Sequence, residues 1–148
     1  MIRVHGTSVA LGGDGILLRG PSGSGKSDLA LRLIDEGGRL VADDQTELRL
    51  SDDDISMTAP AAIAGRMEVR GIGILRVPTV AAAPLRLVVD LVPSAAIERL
   101  PEWQSCDYLE RRFPLIQLAP FEASAPAKLR LALRALGRPE RLTILVAT

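Results

Sequence analysis

Gly20-Pro21-Ser22-Gly23-Ser24-Gly25-Lys26-Ser27 fits the pattern G-x-x-x-x-G-K-[ST] at every fixed position. Glycines let a backbone curl so that its N–H groups point inward at phosphate oxygens, where a side chain would block the approach. Lys26 adds a compact positive charge, and Ser27 supplies a small hydroxyl of the kind that ligates Mg²⁺. The helix expected to begin there offers its positive end to the same anion. The stretch therefore predicts a cradle for a nucleoside triphosphate, with Gly20, Pro21, Ser22, Gly23, Ser24, Gly25, Lys26 and Ser27 as the binding residues.

The flanks agree with that reading. Ile16-Leu17-Leu18 is a short apolar run suited to a buried strand, and residues 27–36 have helical periodicity, halted by Gly37-Gly38. Of 18 basic residues only Lys26 and Lys128 are lysines, so an arginine-rich chain keeps lysine where a slim point charge fits the loop.

Farther out, residues 1–15 predict a short strand pair, with Ser8-Val9-Ala10-Leu11 followed by a turn at Gly12-Gly13-Asp14-Gly15. Arg39-Leu40-Val41-Ala42 reads as a compact strand ending in Asp43-Asp44, and residues 46–50 alternate as a partly exposed strand. Asp52 to Asp54 reads as a turn, and residues 55–58 as the hairpin partner. Residues 59–65 look irregular. Pro84 is expected to precede a buried strand over residues 85–92, and residues 93–107 form a polar, proline-bounded segment that suits a mobile lid. Residues 113–118 suit a last core strand. Ser124 is placed to cap a helix through about residue 136, terminated by Gly137 and Pro139, and residues 141–148 carry no assignment.

Bulk properties set the class. A chain of 148 residues with 47% hydrophobic content suits one domain, taken as 1–148, with a single core. Formal net charge is zero, and no run of like charge exceeds Asp52-Asp53-Asp54, so neither nucleic acid nor an anionic membrane surface is expected as a partner. The single Cys106 fits a reducing compartment, and neither a signal-peptide core nor an apolar run of spanning length occurs, so a cytoplasmic protein is expected. Cys106 itself reads as a bystander thiol, since the sole histidine, His5, would have to activate it.

Several kinds of phosphate-loop chemistry fail by composition. The chain contains no Asn, which removes the Asn-Lys-x-Asp guanine-reading loop, and neither His-Arg-Asp nor Asp-Phe-Gly of the eukaryotic protein kinases occurs. A phosphate loop usually works with a Mg²⁺-holding carboxylate at a neighbouring strand end. Asp43/Asp44 and Asp90 are the candidates. The pair is favoured, because adjacent carboxylates are costly unless a metal or a proton separates their charges.

Val4-His5-Gly6, Gly20 to Ser27, Gly38-Arg39-Leu40-Val41-Ala42-Asp43-Asp44 and Met67-Glu68-Val69-Arg70-Gly71-Ile72-Gly73-Ile74 resemble, in order and spacing, the C-terminal catalytic domain of bacterial HPr kinase/phosphorylase. The resemblance covers most of the chain and implies a short form without the family's N-terminal domain. It implies a fold like that of phosphoenolpyruvate carboxykinase, an α/β phosphate-loop kinase core with a mixed β-sheet flanked by helices. It also implies an ATP- and Mg²⁺-dependent kinase acting on a serine of HPr, a phosphocarrier protein of the sugar phosphotransferase system, together with a phosphate-consuming reverse reaction and a homohexameric assembly.

Residue by residue, the resemblance makes Asp44 the general base, leaves Asp43 to orient the loop or a metal-bound water, and pairs Glu68 with Ser27 around Mg²⁺. Because neighbours on a strand face opposite ways, Asp43 and Asp44 are expected to do different jobs, with either open as the base. His5 matches the family's active-site histidine, Arg70 shapes the wall around the phosphate, and Arg99 matches an arginine on a mobile loop that approaches the transferring phosphate. Two other functions fit the same loop: an ATP-sensing module that signals through protein contacts, and a small-molecule kinase. Retention of Asp43, Asp44 and Glu68 argues for catalysis over sensing, and the lack of an arginine-rich helical lid argues against the small-molecule kinase. One segment departs from the family. Ala119-Pro120-Phe121-Glu122-Ala123-Ser124-Ala125-Pro126 stands where relatives carry Pro-Val-x-x-Gly-Arg-Asn, a stretch associated with the reverse reaction.

Overall fold

Strand β9 (Ala82–Leu91) is the axis of the molecule: Leu85, Leu87, Val88, Val89 and Leu91 are buried, as in a strand covered on both faces. The structure, a computed structural model, describes residues 1–137. The other strands are β1 (Ile2–His5), β2 (Thr7–Leu11), β3 (Asp14–Arg19), β4 (Arg39–Ala42), β5 (Gln45–Ser51), β6 (Asp54–Thr58), β7 (Arg66–Val69), β8 (Gly73–Arg76), β10 (Gln104–Tyr108) and β11 (Arg111–Leu118). The helices are α1 (Lys26–Asp35) and α2 (Ala125–Leu136).

Nine strands form one mixed sheet in the order β1-β5-β6-β9-β3-β2-β4, with β11 also pairing β9 and β10 pairing β11, while β7 and β8 make a separate hairpin. The β3/β9 and β9/β11 pairs are parallel and every other pair is antiparallel. The expected mixed sheet with flanking helices is therefore present.

Alternation along the central strands makes two apolar layers. Ile16, Leu18, Val89 and Leu91 pack with Leu29 and Leu33 of α1 and Leu129 of α2. Leu17 and Val88 point the other way, into a layer with Leu48 of β5, Met57 of β6 and Phe113 of β11. Full burial of one such side chain contributes roughly 1.5–3 kcal/mol, so the two layers fix which face of β3 meets the helices. The loop after β3 is thereby aimed along the α1 side.

Several expectations are corrected. Residues 1–15 hold β1, β2 and the start of β3, because the hairpin between β2 and β3 turns on Gly12 and Gly13 alone. Both have positive φ, 57° and 90°, the sense that matches strand twist in a two-residue turn. Pro84 lies inside β9 rather than ahead of it, where the strand passes from pairing β6 to pairing β3 and a missing donor is tolerated. The segment 93–107 is not wholly irregular: its end forms β10 against β11. Residues 66–69 and 73–76 form the β7–β8 hairpin. Ser124 stands at the start of α2 without a side-chain capping bond, and Pro126 opens that helix instead. Pro139 and residues 141–148 lie outside the described residues.

Candidate active site

The loop between β3 and α1 has the shape its glycines predict. Gly25 sits at φ 102° ahead of the first turn of α1, in backbone space that a residue with a Cβ rarely enters. A Cβ there would also approach the Phe121 ring to 2.9 Å. Lys26 is buried and its Nζ donates to the carbonyls of Gly20 (2.6 Å) and Pro21 (3.1 Å), which holds the ammonium under the loop. Ser24 Oγ is buried without a hydrogen-bond partner, a donor that a phosphate oxygen within the loop would satisfy.

Two carboxylates stand against the start of α1. Ser27 Oγ donates to Asp43 Oδ1 at 2.7 Å, and Thr7 Oγ1 donates to the same oxygen at 3.2 Å. His5 Nε2 bonds Asp44 Oδ1 at 2.8 Å, and with the carboxylate ionised the ring nitrogen is the donor. The Asp44 backbone is tied at both ends: its N–H donates to Thr7 Oγ1 at 3.1 Å, and its carbonyl accepts from the Gly6 N–H at 2.8 Å.

The fold explains why these residues meet. At His5-Gly6-Thr7 the chain leaves the β1/β5 pair and enters the β2/β3/β4 part of the sheet, and at Asp43-Asp44-Gln45 it makes the reverse passage from β4 to β5. The two crossings lie side by side. The expected alternation of Asp43 and Asp44 is corrected here: β4 ends at Ala42, Asp44 has φ 66° in the left-handed region, and both aspartates line one cavity.

That cavity, about 550 Å³, runs from the loop residues Ser22, Gly23, Gly25, Lys26 and Ser27 past Asp43 and Asp44. Hairpin β7 supplies Met67, Glu68 and Val69, with Arg70 just beyond it, and α1 supplies Asp28 and Leu31. The volume suits a nucleotide-sized ligand. Among the described residues no three His, Cys, Asp or Glu side chains converge as a ready-made metal cage. Ser27, Asp43 and Glu68 supply hard oxygen donors around the cavity, the donor type that Mg²⁺ takes together with phosphates.

Two sequence candidates lie elsewhere. Asp90 takes Arg19 in a two-pronged bond, Nε to Oδ1 at 2.7 Å and Nη2 to Oδ2 at 2.9 Å, while Arg19 Nη1 reaches the Tyr108 hydroxyl at 3.0 Å. The bond with Asp90 is the main reason that the Arg19 guanidinium is held more firmly charged than usual. Both oxygens of Asp90 are thus engaged by Arg19, and Asp90 is not among the residues lining the cavity. Arg99 is exposed, just beyond the short turn Ser94–Ala96, and is not among the residues lining the cavity. Burial pushes the Cys106 thiol up.

Sequence reasoning missed Thr7, whose hydroxyl serves both aspartates, because its partners lie 36 and 37 residues away. It also missed Phe121 as a cavity residue, although the surrounding segment stood out.

Comparison with known proteins gives the same picture. A family described as the HPr serine kinase C-terminal domain matches residues 1–101, which contain the loop, His5, both aspartates and Glu68. HPr kinase/phosphorylase of Caldanaerobacter subterraneus subsp. tengcongensis is 42% identical over 114 residues, 74% of this chain and 36% of that protein. HPr kinase/phosphorylase of Clostridium tetani is 40% identical over 102 residues, 69% of this chain and 33% of that protein. The chain thus spans about a third of the length of these relatives. The solved structure of the Hpr(Ser) kinase/phosphatase from Coxiella burnetii superposes with a TM-score of 0.77 at 26% identity, covering 97% of this chain and 93% of that one. With sequence, fold and comparison in agreement, this chain belongs to the HPr serine kinase C-terminal domain family.

Proposed function

We propose that the chain is an ATP- and Mg²⁺-dependent kinase that phosphorylates a serine of an HPr-type phosphocarrier protein. The observation that carries the reading is the placement of Asp44, oriented by His5, in the same cavity as the Lys26–Ser27 end of the phosphate loop. A nucleotide-binding module needs the loop and a carboxylate for Mg²⁺; it has no need of a second, histidine-oriented carboxylate to act as a base.

In this reading the loop amides and Lys26 hold the β- and γ-phosphates. The Ser27 hydroxyl donates its hydrogen bond to Asp43, which would leave its lone pairs free to hold Mg²⁺, with Glu68 as the second protein oxygen. Mg²⁺, when bound there, neutralises charge on the phosphate oxygens. Asp44 accepts the proton of the substrate serine as its oxygen attacks the γ-phosphorus, the bond to ADP breaks, and His5 keeps the carboxylate in place. Such base catalysis is typically worth about 10²–10⁴-fold. Arg70 lies at the cavity wall, and Arg99 contributes once its loop approaches. Homo-oligomeric assembly and a cytoplasmic location belong to the same proposal.

The test is transfer of label from γ-labelled ATP with Mg²⁺ to a serine of a purified HPr-type carrier. Lys26→Ala serves as the blank. Absence of transfer by the parent protein would refute the reading.

A further inference from the structure

Phe121 is 70% exposed, yet it is not a loosely held surface residue. Its ring edge lies directly on Gly25, so that a Cβ at Gly25 would come within 2.9 Å of Cζ and 3.1 Å of Cε1. The backbone on both sides of it is clamped to α1 by one side chain: Arg32 donates to the carbonyl of Pro120 and, at 3.3 Å, to that of Glu122. Arg32 is itself steadied by Asp28 at 3.1 Å. Glu122 is further held by Lys128 at 2.8 Å, and the Ala125 N–H closes on the Glu122 carbonyl at 3.1 Å. A large apolar ring is thus fixed facing solvent, at a cost in exposed apolar area that packing elsewhere would have avoided.

The ring is also the one aromatic group in the lining of the cavity that contains the phosphate loop. Leu31, in the second turn of α1, adds an apolar side chain to the same lining, and Asp28, in the first turn, stands there as the carboxylate that holds Arg32. A triphosphate anchored on Gly20 to Ser27 extends away from the loop as a sugar and a flat heterocycle, and flat heterocycles stack on exposed rings whose position is already set.

We infer that Phe121 is the stacking platform for the nucleobase of the bound nucleoside triphosphate, held over the loop by the Arg32 clamp. This deepens the kinase reading and rests on it. It makes the 119–126 segment part of the nucleotide site. Phe121 is a binding residue that positions the γ-phosphate through the base, and it takes no part in proton transfer.

Binding of Mg²⁺–ATP and of Mg²⁺–tripolyphosphate, which has the phosphates without the base, would be measured by calorimetry for the parent, Lys26→Ala, Phe121→Ala and Phe121→Trp. Phe121→Ala is expected to weaken ATP about tenfold while changing tripolyphosphate less than about twofold, and Phe121→Trp to keep parental ATP affinity. Lys26→Ala is expected to weaken both ligands, which reports the phosphate site independently. If Lys26→Ala behaves so but Phe121→Ala weakens both ligands equally or neither, the stacking role is wrong and the loop assignment stands. If the parent binds neither ligand, both fall. Unchanged ATP affinity in Phe121→Ala with impaired transfer to the carrier protein would show that the ring meets the protein partner, which also overturns the proposal.

Discussion

Asp44 sits where an aspartate is tolerated and a β-branched or bulky residue would be strained, at φ 66°. Both of its backbone polar groups are tied down by Gly6 and Thr7, so the conformation is fixed by the neighbouring strand crossing rather than chosen locally. His5 fixes the side chain in turn, through a bond between groups that are roughly half exposed, with 48% and 65% of their side-chain surface accessible. Its worth to stability is small for that reason, and its worth lies in orientation. His5→Ala should therefore lower the transfer rate roughly tenfold, about the value of one hydrogen bond to a charged group, with little change in ATP affinity or in the unfolding midpoint. Single-turnover transfer and calorimetry check this, and a parental transfer rate would remove His5 from the site. The phosphate loop was legible in the sequence because its glycines mark it and the hydrogen bonds that close it, from Lys26 to Gly20 and Pro21 and from Ser24 to Pro21, are local. The bonds of Asp43 and Asp44 to Thr7 and His5 were not, because they span 36 to 39 residues and depend on how two strand crossings align.

Among the elements, β9 holds the start of the phosphate loop. It pairs with β3 in parallel, with Arg19 opposite Asp90, one residue before the loop begins. The side chains of that register pair bond to each other and to Tyr108 of β10, so the start of the loop is tied to the segment that ends in β10. Asp90→Ala leaves a part-buried guanidinium short of its partner. It should cost about 1–3 kcal/mol in stability, read from denaturant unfolding, and leave the Mg²⁺ dependence of transfer unchanged. A steep rise in the Mg²⁺ requirement would instead mean that Asp90 serves the metal. Helix boundaries and the β5–β6 hairpin followed from periodicity. The β7–β8 hairpin was hidden, since Ile74 and Leu75 are exposed and only Met67 in the hairpin is fully buried, so no clean alternation marks it. The segment 119–126 bears on the reverse reaction: it holds neither Lys nor Arg where relatives carry Gly-Arg-Asn, Glu122 is paired with Lys128, and Arg32 donates to its carbonyls. With serine-phosphorylated carrier and inorganic phosphate, pyrophosphate release relative to the forward rate should be roughly tenfold or more below that of a full-length relative. An equal ratio would mean that other residues hold the incoming phosphate.

At the scale of the whole molecule, the sheet is folded so that two strand crossings meet the positive end of α1, and the cavity lies at that meeting point. The fold class was legible through the family resemblance, while strand, glycine loop and helix in succession showed by themselves only a phosphate-loop unit. The mixed pairing was not derivable from pattern: β9 is one apolar run, and nothing in that run states that it has antiparallel β6 beside its first residues and parallel β3 beyond them. Among the described residues no helix is long and apolar enough to cross a membrane. The central claim is that the loop and Asp44 act together on a phosphoryl group. Its most direct test is single-turnover transfer from labelled Mg²⁺–ATP to a serine of an HPr-type carrier, comparing the parent with Asp44→Ala at saturating ATP. The variant is expected to bind ATP as the parent does but to transfer about 10²–10⁴-fold more slowly. Transfer by Asp44→Ala at the parental rate would contradict it.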